Sequence, residues 1–501
     1  MTYAQDWCAR WAVYQPGAIA VKDLETGEAL SYEALNRAGN RLAAWLFGDL
    51  GLRPGDRLAV LSENGLEYIA LFVAAQKSGL TLVPLNYRMA PPELDYLLND
   101  SEPALLCWQD QFEAAVEQCE KAPAVPHRMP LREVRAIAFG EGEADFPLQP
   151  VPEDHPVFIL YTSGTTGFPK GALYSHKMLF WNSVNTALSL LLNSESRTVT
   201  CLPPFHTGGW NVLTTPLLHR GGFVGLMPRV EPEKLLRMLE QERATIFMGV
   251  PTVLRMMSDS PHWPGADLSS LMYAIVGGEP MPIPLIETWH AKGIPVRQGF
   301  GMTEVGPNLT SLHQRDAVRK KGSIGRPNFY VETRLVDSKG EEVPTGEAGE
   351  LLFRGPMVTP GYWRNEAATR KTIVDGWFHS GDMAVRDEEG YLFIVDRIKN
   401  MFISGGENVY PAEVERMLLE HPAVAQAVVV GVPDPKWGEV GYAYVVAMPG
   451  ETLPDLKTYC KSKMAAYKVP KYFHPLDEIP VSATGKIHRK ALGDQAKGEV
   501  E

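Results

Sequence analysis

Between Ser31 and Pro84 the spacing of apolar residues changes several times, and each change marks an element. Leu35, Ala38, Leu42 and Trp45 recur at helical spacing behind Ser31, a residue suited to cap a helix, with Glu33 in the first turn. Gly51 and the Pro54-Gly55 pair stop that helix, and residues 57–61 read as a short buried strand. A second helix, 66–77, is closed by Gly79 and followed by the apolar run 80–83. This alternation predicts parallel strands with helices packed on both faces, an α/β fold. Residues from about 120 to 155 are rich in proline and charge and read as a surface connection. Alternation resumes at 157–161, and the apolar runs 331–336 and 350–354 bracket the turn-rich GEEVPTGEAGE, which predicts a β-rich subdomain. After DRIKNMFISGG (396–406) the units shorten to helix 412–419, strand 423–430, strand 442–447 and helix 456–464. The expectation is a large N-terminal domain of several subdomains with mixed sheets and helices, residues 1–398. A small α+β domain, residues 399–501, follows it.

Composition narrows the function classes. The 501 residues exceed one ordinary domain, and 48 basic against 60 acidic residues give a net charge of −12. That balance opposes a nucleic-acid surface but leaves room for a local basic pocket around phosphates. Cys8, Cys107, Cys119, Cys201 and Cys460 are dispersed without a CxxC, which supports neither a disulfide framework nor a zinc site. Reduced thiols, an N-terminal stretch without a signal-peptide core and the lack of a bilayer-length apolar run lead to the expectation of a soluble cytoplasmic protein.

The sharpest local signal is TSGTTGFPKG, residues 162–171, between two apolar strands. Gly164 and Gly167 allow successive backbone N–H groups to converge on an anion. Thr162, Ser163, Thr165 and Thr166 add hydroxyl donors and Lys170 a positive charge, a set suited to a polyphosphate. It is not a Walker loop, because Phe-Pro separates Gly167 from Lys170 and a glycine follows the lysine.

This loop resembles the signature of the adenylate-forming superfamily, which includes acyl-CoA synthetases, adenylation domains and beetle luciferases. QGFGMTE (298–304), GWFHSGD (376–382), DRIKNMFISGGENVYPAEVE (396–415) and PVSATGKIHRK (480–490) are similar to further motifs of that family, in the same order. The resemblance implies attack of a carboxylate on the α-phosphorus of ATP, then transfer of the acyl group to a thiol. ATP, Mg²⁺ and coenzyme A are the implied cofactors and co-substrates, and a homodimer is compatible with it. Glu304, with Thr162, is implied as Mg²⁺ ligand, and Thr303 as a contact of the α-phosphate. Gly277, Gly278, Glu279 and Pro280 would line the adenine slot with Gln298, Gly299, Phe300, Gly301 and Met302. Asp382 and Arg397 would meet the ribose, and Lys486 would bridge the two reacting anions. Lys399 is implied as the hinge on which the C-terminal domain swings as a mobile lid. Ser404, Gly405, Gly406 and Glu407 would line the path of the pantetheine arm.

The resemblance also implies that the acid lies beside His206, Gly208, Gly209 and Trp210, in CLPPFHTGGWNVLTTPL, with the apolar Val250, Val276, Met302 and Val305 as further candidate wall. Trp210 is expected to shape the far end of that pocket. FHTGGW carries no acidic residue to pair with an ammonium group, which disfavours amino-acid activation. The leading expectation is therefore an acyl-CoA synthetase for an apolar monocarboxylic acid, with a medium- or long-chain fatty acid ahead of an aromatic one. A ligase loading acyl groups onto a carrier protein is the enzymatic alternative, and a nucleotide-binding regulatory protein the non-enzymatic one.

Overall fold

The computed structural model describes residues 4–142, 145–162, 169–278, 281–405, 407–481 and 487–500. The chain divides into two compact units, residues 1–332 with 353–378, and residues 333–352 with 379–501. Lys399 lies inside the second.

The first unit is built on three sheets. The largest has six strands in the spatial order His127–Pro130, Leu105–Trp108, Arg57–Leu61, Thr81–Leu85, Pro156–Thr162 and Lys170–Ser175. All neighbours pair parallel except the last two, which form an antiparallel hairpin with Thr162 opposite Lys170. Parallel strands buried on both faces need near-continuous apolar runs, which LAVL (58–61) and LVPL (82–85) provide. The connecting helices follow the predicted chemistry. Ser31 Oγ accepts from the Ala34 N–H at the start of helix Tyr32–Gly48. Gly79, at φ +72°, ends the helix Leu66–Ser78, which is buried at every position but Glu67. That helix carries Lys77 into the core, where its ammonium is held by Asp6 at 2.6 Å and Asn36 at 2.7 Å.

The region 120–155, expected to be a surface connection, contains instead the edge strand His127–Pro130 and the helix Leu131–Ala138. Leu131, Val134 and Ala138 face the core, while Arg135 reaches Glu67 at 2.6 Å and also pairs with Glu28. One narrow apolar stripe on an eight-residue helix is easily lost among flanking prolines and charges.

The second sheet orders Ile246–Gly249, Tyr273–Val276 and Val296–Phe300 in parallel, then Thr310–Ser311 and Arg326–Pro327 antiparallel. It has its own core, which includes Phe247, Leu254, Val276 and Trp289. A four-stranded sheet, Ala29–Ser31, Ile19–Asp23, Phe223–Leu226 and Arg197–Thr200, completes the unit.

In the second unit, residues 382–386 pair antiparallel with Leu392–Arg397. The C-terminal part is α+β. The long hairpin Val424–Asp434 with Gly438–Ala447 is flanked by Phe402–Ser404, Glu407–Val409 and Tyr472–Pro475, and helices Pro411–Leu419, Leu456–Lys463 and Arg489–Val500 accompany it. No described helix is long and apolar enough to cross a membrane. The five cysteines are buried and unpaired.

Candidate active site

The phosphate-loop candidates Ser163, Gly164, Thr165, Thr166 and Gly167 lie outside the described residues, as do Glu279, Pro280, Gly406 and Lys486. What is described is the frame that carries them. Thr162, paired with Lys170, stands at the carboxyl end of a parallel strand, Pro156–Thr162. Gly277, Gly278 and 301–303 follow the carboxyl ends of parallel strands in the second sheet, and 298–300 form the end of one of them. Open α/β sheets bind ligands at those ends.

Glu304 sits in the turn Thr303–Val305 and is 7 % exposed, an unusual position for a carboxylate without a task. Its Oε1 accepts from Thr162 Oγ1 at 3.2 Å and from the Tyr362 hydroxyl at 3.0 Å. Thr162 and Glu304, assigned together from sequence, are thus brought together. The Tyr362 ring also stands 5.5 Å from the Lys170 ammonium. Burial, and then the Glu304 carboxylate, push the Tyr362 phenol far above its ordinary value. A hard carboxylate with one oxygen free of hydrogen bonds among the described residues, next to a threonine hydroxyl, fits a Mg²⁺ that takes its other ligands from phosphate and water.

The turn carrying Glu304 is tight. A Cβ on Gly301 would lie 2.1 Å from the Pro307 carbonyl oxygen, so only glycine lets the chain fold back there. Phe300 stacks on Phe353 with centroids 5.8 Å apart. The Gln298 side chain accepts from the Met281 N–H at 3.1 Å and so braces the segment after Gly278.

His206 is half-buried, its ring 4.5 Å from that of Phe205. Gly208–Val212 forms a single wide helical turn, and a Cβ on Gly209 would meet the Pro203 carbonyl at 2.5 Å. Wide turns of this kind leave carbonyls to be satisfied from outside. Asn182 Nδ2 donates to the Asn211 carbonyl at 2.7 Å, and Asn308 Nδ2 to the Val212 carbonyl at 3.2 Å. Asn308 therefore ties the His206 segment to the Glu304 turn. Trp210 is fully buried: its indole N–H donates to the Pro204 carbonyl at 2.7 Å, and its ring packs on Tyr68, Phe72 and Phe158. Val276 and Val305 are buried, while Val250 and Met302 are partly so.

The chain belongs to the AMP-binding enzyme family. The family's model matches residues 8–363, and that of the AMP-binding enzyme C-terminal domain matches residues 413–486. A feruloyl-CoA synthase of Amycolatopsis sp is 41% identical over 483 residues, 96% of each chain. A long-chain-fatty-acid–CoA ligase of Mycobacterium tuberculosis is 36% identical over 496 residues, 98% of this chain and 97% of its own. The solved o-succinylbenzoate coenzyme A synthetase of Bacillus subtilis, in complex with ATP and magnesium ion, superposes with a TM-score of 0.87. It is 31% identical, covering 97% of this chain and 99% of its own. The protein is an ATP-dependent acid–thiol ligase, an acyl-CoA synthetase in the broad sense, with ATP, Mg²⁺ and coenzyme A as its small molecules.

In the second unit, the strand register sets Asp382 opposite Arg397, with Oδ1 3.2 Å from the guanidinium Nε. Oδ2 is buried and has no hydrogen-bond partner among the described residues. Burial raises the Asp382 carboxyl, and Arg397 acts against that rise. The turn before Asp382 is fixed by Glu350, which accepts from His379 Nδ1 and from the Gly381 N–H, both at 3.0 Å. Ser404 is buried at the end of its strand, and Glu407 starts the next one. Gly405, at φ +61°, donates its N–H to the Trp437 carbonyl at 2.8 Å, and Ser404 pairs antiparallel with Glu407.

Sequence reading missed Tyr362 and Asn308. Both are motif neighbours, in PGYWRN and GMTEVGPN, and each is a polar group that only the tertiary fold makes meaningful.

Proposed function

We propose that the acid is apolar, monocarboxylic and aromatic, and that coenzyme A, not a carrier protein, receives the acyl group. The observation that carries this reading is the 41% identity, across nearly the whole chain, to a protein named for feruloyl-CoA formation. The absence of an acidic residue from FHTGGW supports an uncharged acyl moiety. A medium- or long-chain fatty acid is the second reading, favoured by the long-chain-fatty-acid relative and by the apolar character of Val250, Val276, Met302 and Val305.

In this account the acid lies beside His206 with its carboxylate toward the nucleotide. Lys170 and the 162–167 hydroxyls and N–H groups hold the phosphates, Thr303 contacts the α-phosphate, and Thr162 and Glu304 hold Mg²⁺, which neutralises phosphate charge. Lys486 bridges the carboxylate and the α-phosphate, stabilising charge that builds as the carboxylate oxygen attacks phosphorus and pyrophosphate leaves. The orphaned Oδ2 of Asp382 is suited to accept from a ribose hydroxyl, with Arg397 alongside. Gly277, Gly278, Glu279, Pro280 and 298–302 would enclose adenine. Rotation at Lys399 would then withdraw Lys486 and bring Ser404, Gly405, Gly406 and Glu407 to the thiol's path. The thiol sulfur attacks the acyl carbon of the adenylate, and AMP leaves.

Acid-dependent exchange of pyrophosphate into ATP, followed by thioester analysis with coenzyme A or a carrier protein, tests this reading. Exchange without any thioester on coenzyme A would refute the acceptor assignment.

A further inference from the structure

Glu304 is held by more than its own turn. The segment 359–363 runs along strand Lys170–Ser175, with Ala172 bridged to Tyr362, the Trp363 N–H on the Gly171 carbonyl at 2.7 Å and the Leu173 N–H on the Gly361 carbonyl at 3.0 Å. The Thr359 N–H donates to the Glu304 carbonyl at 2.7 Å, and the Tyr362 N–H to Thr369 Oγ1 at 3.0 Å. Gly361, at φ +148°, has Thr369 so near that an added Cβ would sit 2.8 Å from its Oγ1. The Trp363 indole N–H reaches the Asp100 carbonyl at 2.9 Å. Tyr362 is therefore fixed in backbone and flanks; its hydroxyl donates to Glu304 Oε1, and the Thr372 side chain also lies against that hydroxyl. Thr162 Oγ1 donates to the same oxygen. Glu304 Oε2 accepts no hydrogen bond from any described residue.

We infer that Tyr362 is a positioning residue for the metal carboxylate: together with Thr162 it occupies Glu304 Oε1 and so presents Oε2 to the magnesium ion of MgATP. The inference rests on the reading of Glu304 as the metal ligand. Two donors on one oxygen fix the rotation of the carboxylate, which a single contact would leave free. The Tyr362 ring beside Lys170 sets the spacing between the cation that meets phosphate and the anion that meets metal.

Tyr362→Phe in the full chain removes the hydroxyl and keeps the ring. Calorimetric titration with ATP plus Mg²⁺ is expected to give a Kd raised about tenfold, the scale on which partners of metal ligands act. Binding of AMP without metal should equal that of the parent. The Mg²⁺ concentration for half-maximal pyrophosphate exchange should rise, and thioester formation from supplied acyl-adenylate should not change. An unchanged Kd for MgATP, or an equal loss for AMP, would overturn the inference. Glu304→Gln separates the two levels. If it leaves MgATP affinity intact, both the inference and the reading of Glu304 fail; if it weakens MgATP while Tyr362→Phe does not, the inference alone fails. Trp363→Phe keeps the hydroxyl and loses the bond to Asp100. It should lower Tm without moving the metal dependence, and an equal shift there would also overturn the inference.

Discussion

Replacing Trp210 by alanine removes an indole packed on three aromatic rings, with centroids 5.2 Å from Tyr68, 5.3 Å from Phe72 and 5.4 Å from Phe158. It also strips the Pro204 carbonyl of its 2.7 Å donor. Truncation of a buried aromatic to alanine costs about 3–5 kcal/mol, through lost transfer energy and the cavity left behind. The bulky rings around the site cannot easily collapse into that space, which places Trp210→Ala toward the upper end. At roughly 2–4 °C per kcal/mol for domains of moderate size, and less for a larger unit, Tm should fall by about 5–10 °C. Scanning calorimetry of parent, Trp210→Ala and Trp210→Phe checks this, with phenylalanine recovering part of the loss. The same proteins assayed over a series of acids test whether the ring limits the acyl pocket, as the sequence leads one to expect. In that case Trp210→Ala shifts the optimum toward bulkier acids with little change in the KM for ATP. A Tm within about 1 °C of the parent would refute the packing account. An unchanged acid profile would refute only the assignment to the pocket wall.

Lys486→Ala should abolish acyl-adenylate formation while sparing thioester synthesis from supplied acyl-AMP; adenylate formed at the parent rate would contradict the role given to that lysine. Burial, with a smaller contribution from His155, holds the His176 imidazole neutral down to about 3. Its value in the unfolded chain is about 6.5. Between those values the unfolded state binds a proton that the folded state does not, so this contribution is complete above pH ~6.5 and is lost as pH falls, by up to about 1.4 kcal/mol per pH unit. His176→Leu should therefore lose less Tm than the parent between about pH 6.5 and 4.5. Parallel Tm curves would contradict a neutral buried His176.

Elements with a strong period and clean ends were legible. Strand Arg57–Leu61 is found at its predicted bounds, and helix Leu66–Ser78 ends at Gly79 as expected. The helix Leu131–Ala138 was not, because three inward residues between charges carry little periodic signal. The pairing of Thr162 with Glu304 across 142 positions came from motif order, and the fold supplies the contact. Tyr362 could not be assigned that way. Its partner is chosen by a segment laid against strand Lys170–Ser175, and no local spacing in PGYWRN announces that neighbour. The same holds for Asn308, whose carboxamide serves carbonyls almost a hundred residues away.

The central claim is the joining of an aromatic acid to coenzyme A, and one set of kcat/KM values tests it directly. Ferulate, benzoate and saturated fatty acids of increasing length would be compared at fixed ATP, Mg²⁺ and coenzyme A, with AMP release and thioester both measured. The account predicts thioester and AMP in equal amounts and the highest kcat/KM for an aromatic acid. A fatty-acid optimum would leave the ligase reading intact and contradict the aromatic one; AMP release without thioester on coenzyme A, for every acid, would contradict the central claim.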